Sequence, residues 1–396
     1  MQRRQLLQAT LAASAASALA PWARLSLAAG GSQSANRFVF VILRGGLDGL
    51  AAVPAIGDPA FADARGALGR FDSAPLPLDN VFALHPLLPQ LHALYGQGEL
   101  LVLHAVGLPY HERSHFDAQQ LLESGGAKPY VLDTGWLGRA LAATRPAGGA
   151  VALQTAVPLV LRGTAAVDTW APSAAPTPGA DLVARLGAMY QQDPALAQAL
   201  ARARGLRDQP GMADTPDRMA GGRGNAVLLA RKAADFLQRG SQVAVLELGG
   251  WDSHTFQALP QGGLSNNLRT LDALLAALRD GLQADGTWGR TAVLVATEFG
   301  REVAPNGTGG TDHGSGGAAF LLGGAVRGGR VLTDWPGLAK KDRFEGRDLR
   351  ATTDLRAVQR TLLAQHLQVP HAALDASVLP GSAGLAALDL LRASAG

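Results

Sequence analysis

The chain has 396 residues, with 35 basic and 32 acidic side chains, 47% hydrophobic residues and no cysteine. Lacking cysteine, it has neither disulfides nor thiolate metal ligands. Arg3, Arg4 and Arg24 fall in the first 29 residues, which hold no acid, so the remainder carries 32 side chains of each sign. A neutral remainder without a basic patch interleaved with aromatics gives no footing for nucleic acid.

The first 29 residues read as an address. Arg3-Arg4 precede Leu6-Leu7, an Ala/Leu run over 11–20 and a small-residue cleavage site at 26–28. That is a charged region, a short apolar region and a signal-peptidase site. The paired arginines point to twin-arginine export, with an ordinary secretory signal or an uncleaved amphipathic anchor as alternatives. The run is shorter than the ~20 apolar residues that span a bilayer, and no later run reaches that length. The expectation is a periplasmic or extracellular protein with no stable membrane span after signal removal.

Residues 30–396 suffice for one large α/β domain. Short apolar runs predict strands: FVFVIL (38–43), LLVLHA (100–105), LVL (159–161), VAVLEL (243–248), TAVLVAT (291–297) and AAFLLGG (318–324). Helical periodicity marks 224–239, 264–282 and 354–367, the last with Asp354 as its cap. Strands alternating with helices predict a three-layer α/β sandwich around a mostly parallel sheet. The stretch 169–224 opens Pro/Ala-rich, turns helix-like over 181–206 and loosens at 208–224, the pattern of a helical insertion. No fixed-period repeat is present.

The polar residues that carry chemistry sit just past these strands. RGGLDGL (44–50) follows the first and HERSH (111–115) the second; GGWDSH (249–254), TEFGRE (297–302) and GTDHGSGG (310–317) flank the last three. In an open α/β sheet, ligands bind beyond the carboxyl ends of strands. Asp and Glu oxygens and His nitrogens there are donors for a divalent metal. Asp252, His254, Glu298, Asp312 and His313 are among the residues of these types in the last three blocks. Ser114 begins the helix-like HFDAQQLLES (115–124). It reads either as an N-cap with Asp117 three residues on, or as a nucleophile with His111, His115 or the metal group as its activating partner. Asp48 reads as metal ligand or turn residue, His85 and His104 as buried histidines, and His366 and His371 as surface. Trp136 and Trp251 are candidates to line a pocket.

These five blocks, in this order, resemble the exported bacterial family known as domain of unknown function 1501. That family in turn resembles the alkaline phosphatase and sulfatase superfamily. The resemblance implies an alkaline-phosphatase-like fold, a metal site at one sheet edge and hydrolysis or transfer of phosphate or sulfate esters. It matches Asp252, His254 and His313 to one metal site. At the second site, Arg44 stands where the superfamily has its aspartate nucleophile, and Phe299 stands where it has a histidine. One divalent metal, zinc or calcium, is therefore implied rather than two. Arg44 is left either to clamp an anionic small molecule or glycan ester with its guanidinium fork, or to form a structural ion pair with Glu298 or Asp48. The competing class is a non-catalytic envelope protein whose degenerate site binds an acidic glycan, a metal or a protein partner.

Overall fold

The computed structural model describes residues 36–145, 148–172, 179–207 and 222–393. The expected export signal, 1–29, lies outside the described residues. The chain divides into two compact units, 1–170 with 226–396, and 171–225.

The larger unit is built on a nine-stranded sheet. Its strands are β1 (Arg37–Leu43), β2 (Leu100–Gly107), β3 (Ala150–Ala152), β4 (Val167–Thr169), β5 (Val243–Leu248), β6 (Thr291–Thr297), β7 (Gly317–Leu322), β8 (Arg330–Leu332) and β9 (Thr353–Asp354). The order is β8-β2-β7-β6-β1-β5-β3-β4, with β9 also pairing β2. All neighbours are parallel except at β7, which runs antiparallel to both β6 and β2. Its amino end therefore lies where the carboxyl ends of the others lie. Every residue of β1 is buried, as a strand covered on both faces requires. Phe38, Phe40 and Ile42 pack on one side against Trp136 and Leu362, with Trp136 meeting Phe40 edge-to-face at 5.5 Å.

The helices that place the site are α1 (Gly49–Ala52), α2 (His115–Ser124), α3 (Trp136–Thr144), α6 (Arg223–Gln238), α7 (Gly263–Gln283) and α8 (Leu355–Gln365). α7 buries Leu268, Leu271, Leu275, Leu278 and Leu282 at helical spacing. Asp354 caps α8 by accepting from the Arg356 N–H. The smaller unit holds α4 (Ala180–Met189) and α5 (Pro194–Arg207). No described helix is long and apolar enough to cross a membrane.

Several expectations need correction. LVL at 159–161 is a 3-10 turn rather than a strand. The three-residue strands β3, β4 and β8 were not anticipated, being too short to show a pattern. Trp136 and Trp251 are both fully buried, so neither faces a pocket open to solvent. His366 is buried rather than superficial, its Nε2 donating to the Arg37 carbonyl at 2.8 Å.

His104, fully buried in β2, uses both nitrogens: Nε2 lies 3.0 Å from the Val53 carbonyl and Nδ1 accepts from the Ala105 N–H at 2.8 Å. Burial pushes its pKa down to about 4, the Val53 bond offsetting only part. Because the folded value lies below the unfolded ~6.5, this site stabilises the fold fully above pH 6.5 and loses that stabilisation as pH falls toward 4. The loss is on the order of 3 kcal/mol. Denaturant unfolding across that range, with the His104 ring followed by NMR, should show a ring still neutral at pH 5; a ring protonated near 6.5 would contradict the prediction.

Candidate metal centre

Five segments converge on the edge where the parallel strands end. The chain leaves β1 through Arg44, Gly45 and Gly46. A Cβ on Gly45 would lie 2.6 Å from the Asp252 nitrogen, and its φ of 121° suits glycine alone. The bare backbone lets the loop after β5 cross directly over the end of β1. Gly310 does the same for the loop before β7, where a Cβ would meet the His254 carbonyl carbon at 2.2 Å. These approaches bring GGWDSH and GTDHGSGG together.

Within the loops, His115, Asp252 and His313 offer donor atoms that all lie within 4.8 Å of one another. His254 joins them, its Nε2 standing 3.0 Å from Asp252 Oδ1 and 3.0 Å from His313 Nε2. Each histidine is tied at its other nitrogen. His313 Nδ1 lies 2.9 Å from the Arg113 carbonyl. A carbonyl only accepts, so Nδ1 carries the ring proton and Nε2 presents a lone pair. His115 Nδ1 lies 2.8 Å from Glu298 Oε1, and His254 Nδ1 lies 3.1 Å from Asp312 Oδ1.

Both carboxylates are held ionised. Burial pushes Glu298 up, but bonds from His115, Gln119 and the Gly45 N–H outweigh it and hold it below the usual range. For Asp312 the Asn306 bond leads, aided by His254, and also lowers the pKa. An ionised carboxylate accepts only, so the rings of His115 and His254 also carry a proton on Nδ1, which leaves Nε2 as the nitrogen turned toward Asp252. Three Nε2 atoms thus converge on one carboxylate. Two of them stand 3.0 Å apart, a contact that takes either a shared proton or a cation. His115 Nε2 is buried without a hydrogen-bond partner among the described residues. The donor set fits a divalent metal, with Glu298, Asp312 and the Arg113 carbonyl fixing the rings from behind as outer partners do.

Asp252 is steered by Arg301, which lies in TEFGRE but was not singled out in the sequence. Its fully buried guanidinium donates to Asp252 Oδ1 at 2.6 Å and grips both the hydroxyl and the carbonyl of Thr311. Burial alone would raise the Asp252 pKa, but Arg301, with His254 and His115, holds it down. Arg113 is a second support missing from the sequence reading. Its φ of 60° is left-handed, and ion pairs to Asp348 and Glu345 hold it there. Strain of this kind collects at functional sites.

The other candidates are placed as follows. Ser114 occupies the N-cap position of α2, but its side chain makes no cap bond; it is engaged instead with Tyr110, whose hydroxyl donates to Asp117 at 2.9 Å. His115, expected as an activating partner for Ser114, stands with the metal-type donors. His111 stacks on Phe344 at 4.6 Å. Glu298 lies behind His115, with both oxygens accepting hydrogen bonds.

Arg44 does not pair with Glu298 or Asp48. Its fork takes Glu247 bidentately at 2.6 and 2.7 Å and reaches Glu123 at 2.9 Å. Glu247 was legible as the acid in an otherwise apolar strand, a residue that demands a partner. Asp48 is buried, caps α1 through the Ala51 N–H and pairs with Arg65 at 2.5 Å, so it is structural rather than a ligand.

Fold and site together define an α/β protein with a histidine–carboxylate donor cluster on the carboxyl edge of a mostly parallel sheet. The chain belongs to the family described as Protein of unknown function (DUF1501), which matches residues 97–377. That span holds the three histidines and Asp252, but not Arg44. No curated protein matches the sequence. Among solved structures, the chain is similar to Ps i-CgsB in complex with k-i-k-neocarrahexaose, at 10% identity and a TM-score of 0.45 over 90% of this chain and 75% of that one. It is similar to the PsFucS1 sulfatase from Pseudoalteromonas sp., at 13% identity and 0.41 over 91% and 74%. The phosphonate monoester hydrolase of Agrobacterium radiobacter follows at 13% and 0.36 over 84% and 74%.

Proposed function

We propose that the cluster holds one divalent metal and that the protein hydrolyses, or transfers, the phosphate or sulfate group of an anionic small-molecule or glycan ester outside the cytoplasm. The observation that carries this reading is the convergence of donor atoms of His115, His313 and Asp252 within 4.8 Å of one another, with His254 Nε2 3.0 Å from both Asp252 and His313. Three imidazoles and one carboxylate suit zinc or a similar ion; calcium prefers six to eight oxygens. When bound, such an ion supplies Lewis acidity that neutralises charge on an ester oxygen. The chain's own part is to orient that centre. Arg301 fixes Asp252, Glu298 and Asp312 hold the ring tautomers, and Phe299 packs against His115 at 4.8 Å and His313 at 5.0 Å. Ser114, adjacent to His115 and not spent on capping, is the proposed nucleophile or positioning hydroxyl.

Protein purified from the envelope without added metal should carry one equivalent and cleave generic aryl phosphates or sulfates, with activity lost to a chelator. Two equivalents would overturn the single-site reading. The proposed route is twin-arginine export, so replacing Arg3 and Arg4 with lysine should leave the precursor in the cytoplasm; normal export of that variant would point to the general secretory route.

One observation favours the second reading, a site that binds without catalysing. Arg44, the expected anion clamp, already has its fork closed by Glu247 and Glu123. On that reading an acidic glycan, a metal or an envelope protein partner is held without turnover. Bound metal with no ester cleavage on any aryl substrate would support it.

A further inference from the structure

Behind the loop that carries Asp252 and His254 lies a separate cavity of about 80 Å³, lined by Arg70, Asp72, Ser73, His85, Gln257 and Arg269 among others. It opens to solvent where Arg70, Asp72 and Ser73 are exposed, with His85 and Arg269 half-buried and Gln257 buried at its inner wall. Arg269 is bonded only to neutral oxygens, the Pro260 carbonyl at 2.9 Å and Asn266 Oδ1 at 3.4 Å. Among the described residues, neither Arg269 nor Arg70 is ion-paired with a carboxylate, and Asp72 is the one acid on the wall. His85 adds a donor. Its Nδ1 accepts from the Leu87 N–H at 3.1 Å, so the neutral ring carries its proton on Nε2. Burial and then the Arg269 charge push its pKa down to about 4, so it does not compete as a third cation. Gln257 is the shared wall. Its Oε1 accepts from Ser253 at 2.9 Å and Thr311 at 2.8 Å, neighbours in sequence of Asp252 and Asp312.

Two guanidinium groups and a single carboxylate line one small recess, neither arginine being ion-paired among the described residues, and this excess of positive charge is one that an oxyanion completes. We propose that this cavity is an oxyanion subsite, taking a sulfate, phosphate or carboxylate group held by Arg70 and Arg269. Two sources offer that chemistry: a free inorganic ion, and a second acidic substituent on the ester cleaved at the metal centre. The second source rests on the proposed function; binding itself does not.

Titration calorimetry at constant ionic strength, with inorganic sulfate and then phosphate added to the protein as purified, tests the binding. One equivalent should bind. Arg70→Ala and Arg269→Gln should each weaken binding by roughly tenfold or more, with melting temperatures confirming that both variants fold. His313→Ala should leave it intact. No binding to the parent protein, unchanged binding in the Arg70→Ala/Arg269→Gln double variant, or binding lost only in His313→Ala would overturn the proposal; in the last case the anion sits on the metal cluster. The KM of aryl esters bearing one or two anionic groups separates the sources. A preference for the doubly charged ester that vanishes in Arg70→Ala assigns the subsite to substrate. Equal KM values alongside intact calorimetric binding assign it to a free ion.

Discussion

Replacing Asp252 with asparagine is expected to empty the metal centre and abolish ester cleavage while leaving the sheet folded. Asp252 touches every other member of the cluster: His254 at 3.0 Å, His313 at 3.3 Å, His115 at 3.5 Å and Arg301 at 2.6 Å. Asparagine keeps the shape and one carbonyl oxygen but removes the only negative charge among the four donors. The loss in metal affinity should exceed the ~10–100-fold that follows removal of an outer partner. Arg301→Lys should fall inside that smaller range, since an ammonium keeps the charge without the fork. Elemental analysis and an aryl ester assay on both variants check the ordering. Full metal occupancy in Asp252→Asn would place the centre elsewhere.

Replacing Arg65 with methionine is expected to have the largest effect on stability and none on the metal. Arg65 and Asp48 are both almost wholly buried, and the guanidinium also donates to the Val303 carbonyl at 3.0 Å. Losing the arginine strands a carboxylate beneath α1, and breaking a buried pair in this way costs roughly 3–5 kcal/mol. Asp48→Asn added to Arg65→Met removes the stranded charge and should recover part of the loss. Denaturant unfolding measures the change, and metal content of the folded fraction shows whether the effect stays out of the cluster. A single variant as stable as the parent would show that the pair contributes little.

The strands that carry the site were legible because β1, β5, β6 and β7 are continuous apolar runs ending in glycine or polar residues. Asp252, His254 and His313 were legible as candidate donors for the same reason, standing at those ends, whereas His115 was read as a partner for Ser114. What could not be read was who pairs with whom. Arg44 was read either as an anion clamp or as an ion pair with Glu298 or Asp48, yet strand pairing places Glu247 beside it, with Ile42 and Leu43 in register with Glu247 and Leu248. Arg301 and Arg113 went unnoticed because their roles arise from loop conformation, one through a buried fork and the other through a left-handed backbone. His366 was misjudged because a histidine near a helix end gives no sign that the start of β1 will cover it.

The reversed direction of β7 has a consequence for how this site can change over time. The chain leaves the sheet edge after Thr297 and returns to that edge at Gly317. Glu298, Arg301, Asp312 and His313 therefore ride on one excursion anchored by two adjacent strands. Such a segment can lengthen, shorten or be exchanged between relatives without rethreading the sheet, whereas a crossover between parallel strands has to carry the chain back to the far edge first. One of the four donors and three of the residues that hold the others are thereby gathered into one replaceable cassette, and natural variation in what this architecture binds is expected to concentrate there.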